Sequence, residues 1–190
     1  MPSRRGGGPA DMAERTSRRL VIDASVVRAA GPEGAAFPTS KNCRDFLKAV
    51  LTICHQVVMT PDIGNQWKTH LSGFSRGWRV SMEARKKVYR PPGSVVDDEL
   101  RAKISNAASS HKERDTLSKD TLLIEGALAT DYAIAALDDS ALRAFRKAAN
   151  SVRKIRRIVW VNPDNTDERP IAWLEKGARI ERTRQLRPNR

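Results

Sequence analysis

The chain is poor in the residues that usually betray a site. It holds two cysteines and three histidines in 190 residues. Cys43 and Cys54 fall on one expected helix, and eleven residues of helix separate them by about 16 Å, too far to bridge. Two free thiols fit a reducing compartment and point to a cytoplasmic protein. They also exclude a cysteine zinc site of the usual spacing. His70 lies beside an apolar stripe and reads as packed or at a rim, while His111 sits in a polar stretch and reads as solvated. Aromatic residues make up only 5%, which leaves no stacking platform of the kind single-strand binders use. Long hydrophobic runs are missing as well. The segment RLVIDASVV is interrupted by Asp23, and no run reaches the ~18 residues that a membrane span needs. The opening MPSRRGGGP is basic with no apolar stretch behind it, so no secretory signal is expected. There is no Gly-x-Ser-x-Gly, no phosphate loop, no internal repeat and no heptad pattern.

What the chain does have is positive charge. Lys and Arg total 35 against 22 Asp and Glu, a net of +13. Such an imbalance calls for a polyanionic partner: nucleic acid, an acidic protein or an anionic surface. The 39% hydrophobic content is enough for one core, and the length suits one domain.

Composition divides the chain into a basic arm over 1–19, a domain over 20–177 and a basic tail over 178–190. Short apolar strands are expected at Leu20–Ile22, Gln56–Met59, Ile134–Leu137 and Arg157–Val161. Helical spacing fills the gaps. A short helix is expected from Ser25 to Ala30. A longer one starts at Ser40 and carries Cys43, Phe46, Leu47, Val50 and Cys54. Thr60-Pro61 then opens a helix running through Trp67, Phe74 and Trp78 to Met82, bent at Gly73 or Gly77. Weaker helical spacing covers Asp97 to Ser109. Ser118-Lys119-Asp120 caps the next helix, Asp138 to Asn150 forms another, and the last carries Ile171 and Leu174. Strands alternating with helices predict an α/β fold: three layers, with a central parallel sheet of about four strands. Sites in such sheets form outside the carboxyl ends of the strands.

Three aspartates fall there. Asp23 follows the first strand, Asp138 follows the third, and Asp120 is expected in the first turn of the preceding helix. Each has an ordinary role open to it as a helix cap or a first-turn acid. Together they form a candidate oxygen-ligand set for Mg²⁺ or Mn²⁺, because clustered carboxylates repel unless a cation neutralises them.

Two stretches carry a family resemblance. Leu20-Val21-Ile22-Asp23-Ala24-Ser25 resembles the opening strand of the PIN domain, a metal-dependent nuclease fold. Asp120-Thr121-Leu122-Leu123-Ile124-Glu125-Gly126-Ala127, followed 18 residues after Asp120 by Asp138, is similar to the later part of that family's pattern. The resemblance spans about Arg19 to Trp160. It implies a three-layer fold and phosphodiester hydrolysis by metal-activated water, leaving a 5′-phosphate and a 3′-hydroxyl. It implies Asp23, Asp120 and Asp138 as catalytic ligands of one or two Mg²⁺ or Mn²⁺ ions, with Ser25 hydrogen-bonding an Asp or the scissile phosphate. The family's best-known members are ribonuclease toxins of bacterial toxin–antitoxin pairs, which makes RNA the expected substrate, with DNA left open. It also makes an acidic antitoxin-type protein and a second copy of the chain candidate partners.

One position departs from the pattern. The family usually carries a Glu early in the helix after the second strand, where this chain has Gln66. Asp62, one turn earlier, and Asp139 are secondary candidates to complete the ligand set, and Gln66 itself can offer an amide oxygen. The alternative is a catalytically attenuated PIN-like module that binds nucleic acid. A third reading is a basic scaffold for an acidic protein.

Two basic runs are candidate nucleic-acid contacts. Arg76 to Arg90 holds six basic residues and one acid; Arg76, Arg79, Arg85, Lys86 and Lys87 are taken from it. Arg143 to Arg157 holds seven and no acid; Arg143, Arg146, Lys147, Arg153 and Lys154 are taken from it. A solvated helix face is the ordinary alternative, and phosphate contact would be largely independent of sequence.

Overall fold

The computed structural model describes residues 17–32, Gly34 and 36–188. Most of the arm expected over 1–19 therefore lies outside the described residues. Five parallel strands form one sheet: β1 (Arg19–Ile22), β2 (Gln56–Val58), β3 (Val88–Tyr89), β4 (Ala133–Ala135) and β5 (Val159–Val161), in the order β3-β2-β1-β4-β5. Helices cover the sheet in a three-layer α/β/α arrangement. The sheet has one strand more than the four expected. The addition, β3, is two residues long and sits in a strongly basic, proline-terminated stretch with no alternation to reveal it.

Every strand connection needs a crossover, and helices supply them: α1 (Ala24–Ala29), α2 (Pro38–Thr52), α3 (Pro61–His70), α4 (Gly73–Ala84), α5 (Asp98–Asn106), α6 (His111–Leu128), α7 (Asp139–Ala148) and α8 (Pro170–Glu175). The chain winds outward from β1 through β2 to β3, then returns to the other side of β1 for β4 and β5. The direction of winding thus reverses between β1 and β4, and a crevice opens at the carboxyl ends of strands at such a point.

The core strands are nearly continuous apolar runs, as sheets covered on both faces require. Leu20, Val21, Ile22, Ile134 and Val159 are buried. Trp67, Trp160, Trp173, Phe46 and Phe145 are the largest side chains fully inside. Each contributes on the order of 2–3 kcal/mol from apolar surface removed from water.

Four expectations need correction. The helix expected from Thr60 to Met82 is two helices. α3 ends at His70, and Ser72 starts α4 by accepting from the Ser75 N–H at 3.1 Å. A serine hydroxyl that caps a new turn ends the old one more effectively than either glycine. The helix expected to open at Ser118 in fact begins at His111, capped by Ser110 on the Glu113 N–H at 3.1 Å. Ser118 and Asp120 are therefore interior residues. Cys54 lies beyond the end of α2 rather than on it. Finally, 178–188 packs as part of the domain. Leu186 is buried, its N–H donates to the Ile158 carbonyl at 2.9 Å, and Gln185 bridges Val159. Net charge masks the apolar anchors Ala178, Ile180 and Leu186 in that basic segment.

Candidate functional site

The site is built at the crevice between the ends of β1 and β4. Register places Ile22 beside Ala135, and the Asp23 N–H donates to the Ala135 carbonyl at 2.9 Å. Trp67 of α3 donates its indole N–H to the Ile22 carbonyl at 3.1 Å, which fixes the end of β1 from the other side.

Three carboxylates reach this place by three routes. Asp23 is the N-cap of α1, and its Oδ2 accepts from the Ser25 N–H at 2.9 Å and from the Ser25 hydroxyl. Asp138 is the N-cap of α7, and its Oδ1 accepts from the N–H groups of Ser140 (2.8 Å) and Ala141 (2.9 Å). Asp120 stands on the buried face of α6 with Leu123, Ile124 and Ala127, at steps of three and four residues. That helix lies close to the sheet because residue 126 has no side chain. A Cβ there would stand 3.2 Å from Val21 Cγ2 and 3.3 Å from Ile63 Cδ1.

Capping and ion binding do not compete for the same atoms. The caps occupy one oxygen each, leaving Asp23 Oδ1 and Asp138 Oδ2 without a hydrogen-bond donor among the described residues. Asp120 differs from both. It is 8% exposed, and its carboxyl has no hydrogen-bond partner among the described residues. Burial pushes its pKa up to about 6, and the charges of Asp23 and Asp138 push in the same direction, against Lys119. Both neighbouring carboxylates thus lie near enough to oppose the ionisation of Asp120.

All three line one cavity of about 330 Å³, together with Ser25, Gln66 and Leu137. Arg28, His70 and Lys119 line it as well. None of these three was singled out for the site from the sequence. Arg28 is one turn into α1 from Ala24, Lys119 immediately precedes Asp120, and His70 follows Gln66 by four residues on α3. Only the last spacing was a usable signal.

The secondary ligand candidates part company. Gln66 lines the cavity, but Asp62 and Asp139 do not. Asp62 faces Arg101 Nη2 at 3.7 Å. Arg101 in turn grips the buried carboxylate of Glu125 through Nε (2.7 Å) and Nη2 (2.8 Å). Asp139 Oδ1 accepts from Asn162 at 3.1 Å, which ties the start of α7 to the end of β5.

The carboxylates and the Gln66 amide offer oxygen, and the buried Asp120 carboxyl has no hydrogen-bond donor among the described residues; that chemistry fits a hard divalent cation. Among the described residues, no three His, Cys, Asp or Glu side chains are grouped to hold one ion directly. A hydrated Mg²⁺ or Mn²⁺ needs only one or two carboxylates beside its waters.

The basic residues also divide. Arg76, Arg79, Arg85, Lys86 and Arg153 make no ion pair among the described residues. Lys87 is committed to structure: its ammonium donates to the Leu51 carbonyl at 2.7 Å and to the Ile53 carbonyl, closing the end of α2. Lys147 pairs with Glu113 at 3.1 Å, Lys154 with Asp97 at 2.6 Å, and Arg143 donates to the Ser140 hydroxyl at 3.0 Å. Arg146 faces a different cavity, lined by Trp160. No described helix is long and apolar enough to cross a membrane.

No protein-family model matches the chain, and neither a curated protein nor a solved structure matches it.

Proposed function

We propose that the chain is a PIN-like, Mg²⁺- or Mn²⁺-dependent endoribonuclease. The observation that carries this reading is the meeting of Asp23, Asp120 and Asp138 in one cavity at the reversal between β1 and β4, with the Asp120 carboxyl buried and without a hydrogen-bond partner among the described residues. A bound divalent ion would supply Lewis acidity toward a phosphodiester and lower the pKa of water. Asp120 would hold it from the floor of the cavity, with Asp23 Oδ1 and Asp138 Oδ2 at the rim. Arg28 and Lys119, lining the same cavity, suit the phosphate oxygens of a bound strand. Ser25 holds Asp23 in place through its hydroxyl.

A second reading has its own observation. Gln66 lines the cavity where the resemblance leads one to expect a fourth carboxylate, so the chain could instead be an attenuated module that binds nucleic acid without cutting it. The deciding experiment is Mn²⁺-dependent cleavage of RNA and DNA substrates by the wild type, Asp23→Asn and Gln66→Glu. Cleavage of RNA that is lost in Asp23→Asn supports the nuclease. A silent wild type with activity appearing in Gln66→Glu supports the attenuated module. Silence from all three refutes the catalytic reading of this cavity.

A further inference from the structure

A second cavity, of about 400 Å³, lies at the far edge of the sheet and shares no residue with the carboxylate site. Its walls come from β5, α7, the turn over 167–169, α8 as far as Lys176 and the C-terminal segment around Arg184. The four tryptophans point to it. Trp67 donates its indole N–H to the Ile22 carbonyl, Trp78 to Leu47 and Trp173 to Arg179. Trp160, which is 1% exposed, has no acceptor among the described residues. Three buried side-chain nitrogens lack a partner among the described residues: Arg18 Nε, Arg146 Nε and Trp160 Nε1. Two of those residues, Arg146 and Trp160, line this one cavity.

A buried N–H without an acceptor costs about 1–3 kcal/mol. Both of these belong to residues that line the same cavity, so one ligand entering it could serve the two. One water occupies about 30 Å³, far less than this cavity, whose size lies in the range of small-molecule sites. The surrounding charge has a definite sign. Arg184 is already committed, to Glu168 at 3.0 Å and Glu181 at 2.7 Å. Over the whole lining Arg146, Arg169, Lys176 and Arg184 stand against Asp167, Glu168 and Glu181, an excess of one positive charge, and Arg146, Arg169 and Lys176 make no ion pair among the described residues. The Trp160 ring is held by Phe145, with centroids 5.8 Å apart, so its N–H is a fixed donor rather than a mobile one. Arg169 adopts a left-handed backbone, φ 47° and ψ 58°. For a residue with a Cβ such a conformation costs on the order of 1 kcal/mol and is common at ligand sites.

We propose that this cavity binds a small molecule bearing an oxyanion, a phosphate or carboxylate group, with the N–H groups of Trp160 and Arg146 as its donors. The inference is independent of the nuclease reading. Phosphate and carboxylate offer the same planar or tetrahedral oxygens to a guanidinium and an indole, and the two sources are separable by titration.

The test uses the full chain labelled with ¹⁵N. The Trp160 indole resonance is identified by its loss in Trp160→Phe. Inorganic phosphate, AMP and citrate are then titrated separately. The expected result is a saturable downfield movement of the Trp160 indole proton with at least one of them. The Trp67 and Trp78 indole signals stay in place because their acceptors are internal. Arg146→Gln should weaken that response about tenfold, the value of one charge-assisted hydrogen bond. A response to phosphate and AMP alone assigns a phosphoryl ligand, and a response to citrate alone assigns a carboxylate. A Trp160 signal that moves with none of the three overturns the proposal. So does an unchanged affinity in Arg146→Gln, or a drift that never saturates, the behaviour of loose anion association with a +13 chain.

Discussion

The Ser25 hydroxyl joins two strand ends: it donates to Asp23 Oδ2 after β1 and accepts from the Leu137 N–H at 3.2 Å after β4. One side chain thereby spans the crevice that the sheet leaves open and sets the spacing of Asp23 from the β4 end, where Asp138 stands. Ser25→Ala removes both bonds and strands the Leu137 N–H. A stability loss of about 1–3 kcal/mol is expected, read as a lower Tm. Cleavage should fall with it. Ser25→Thr, which keeps a hydroxyl, should recover most of both. A Ser25→Ala protein with unchanged Tm would remove Ser25 from the architecture of the site.

Why some of this was legible in the sequence follows from how each signal is encoded. Asp23 and Asp138 sit at the ends of apolar strands, and the switch from apolar run to acid is visible in a linear pattern. Asp120 lines the same cavity, but it stands inside its helix rather than in the first turn that its neighbours suggest. Ser118-Lys119-Asp120 has cap-like residues, yet the earlier Ser110 with Glu113 three residues on starts the helix. Arg28 and Lys119 are not legible as site residues because their membership depends on how α1 and α6 pack about the sheet, which no local spacing records; His70 alone carries a local signal, four residues after Gln66. Asp62 illustrates the opposite error. It shares a helix face with Gln66, but Arg101, 39 positions later, claims it. Long-range ion pairing is invisible to periodicity.

Asp120 makes the metal-free protein more stable in mild acid. Its carboxyl titrates near pH 6 in the folded chain against an ordinary 3.8. Between those values the folded state holds a proton that the unfolded state has lost, so stability falls as pH rises through that window. The full difference is on the order of 3 kcal/mol. Asp120→Asn should therefore raise the Tm of metal-free protein at pH 7.5 by several degrees and leave it nearly unchanged at pH 4. Millimolar Mg²⁺ or Mn²⁺ should stabilise the wild type and not the variant. A variant that melts lower than the wild type at pH 7.5 without metal would contradict the buried, repelled carboxyl.

His55 acts in the same range with the opposite sign. The ring is fully buried: Nδ1 accepts from the Arg18 N–H at 3.1 Å, and Nε2 donates to the Leu174 carbonyl at 2.8 Å. Only the neutral ring satisfies both. Burial holds its pKa below the usual 6.5, so the unfolded chain takes up the proton first. The stability His55 contributes is complete above about pH 6.5 and is lost as pH falls below it. His55→Gln should have a lower Tm at pH 7.5, and below pH 6.5 its stability should rise on acidification, because the Asp120 contribution is then unopposed. In Asp120→Asn, where the opposing carboxyl is gone, acid should destabilise more steeply than in the wild type. Parallel Tm-against-pH curves for the three proteins would refute both assignments.

The basic residues can be sorted by the salt dependence of RNA binding. Each phosphate neutralised by a Lys or Arg adds about 0.7 to the slope of log affinity against log salt for a single strand. Arg76, Arg85 and Lys86 are exposed and make no ion pair among the described residues, so Arg76→Gln or Arg85→Gln should each lower the slope by roughly that amount. Lys87 lies in the same run and carries the same charge, yet its ammonium is spent on the Leu51 and Ile53 carbonyls at the end of α2. Burial already pulls its pKa below the ordinary lysine value. Lys87→Met should cost stability through the lost cap and leave the salt slope where it was. A slope that drops for Lys87→Met and not for Arg76→Gln would place the nucleic-acid surface on another face of the molecule. The pairing of Lys147 with Glu113 and of Lys154 with Asp97 predicts correspondingly small slope changes for those two, because each would have to give up a carboxylate before meeting a phosphate.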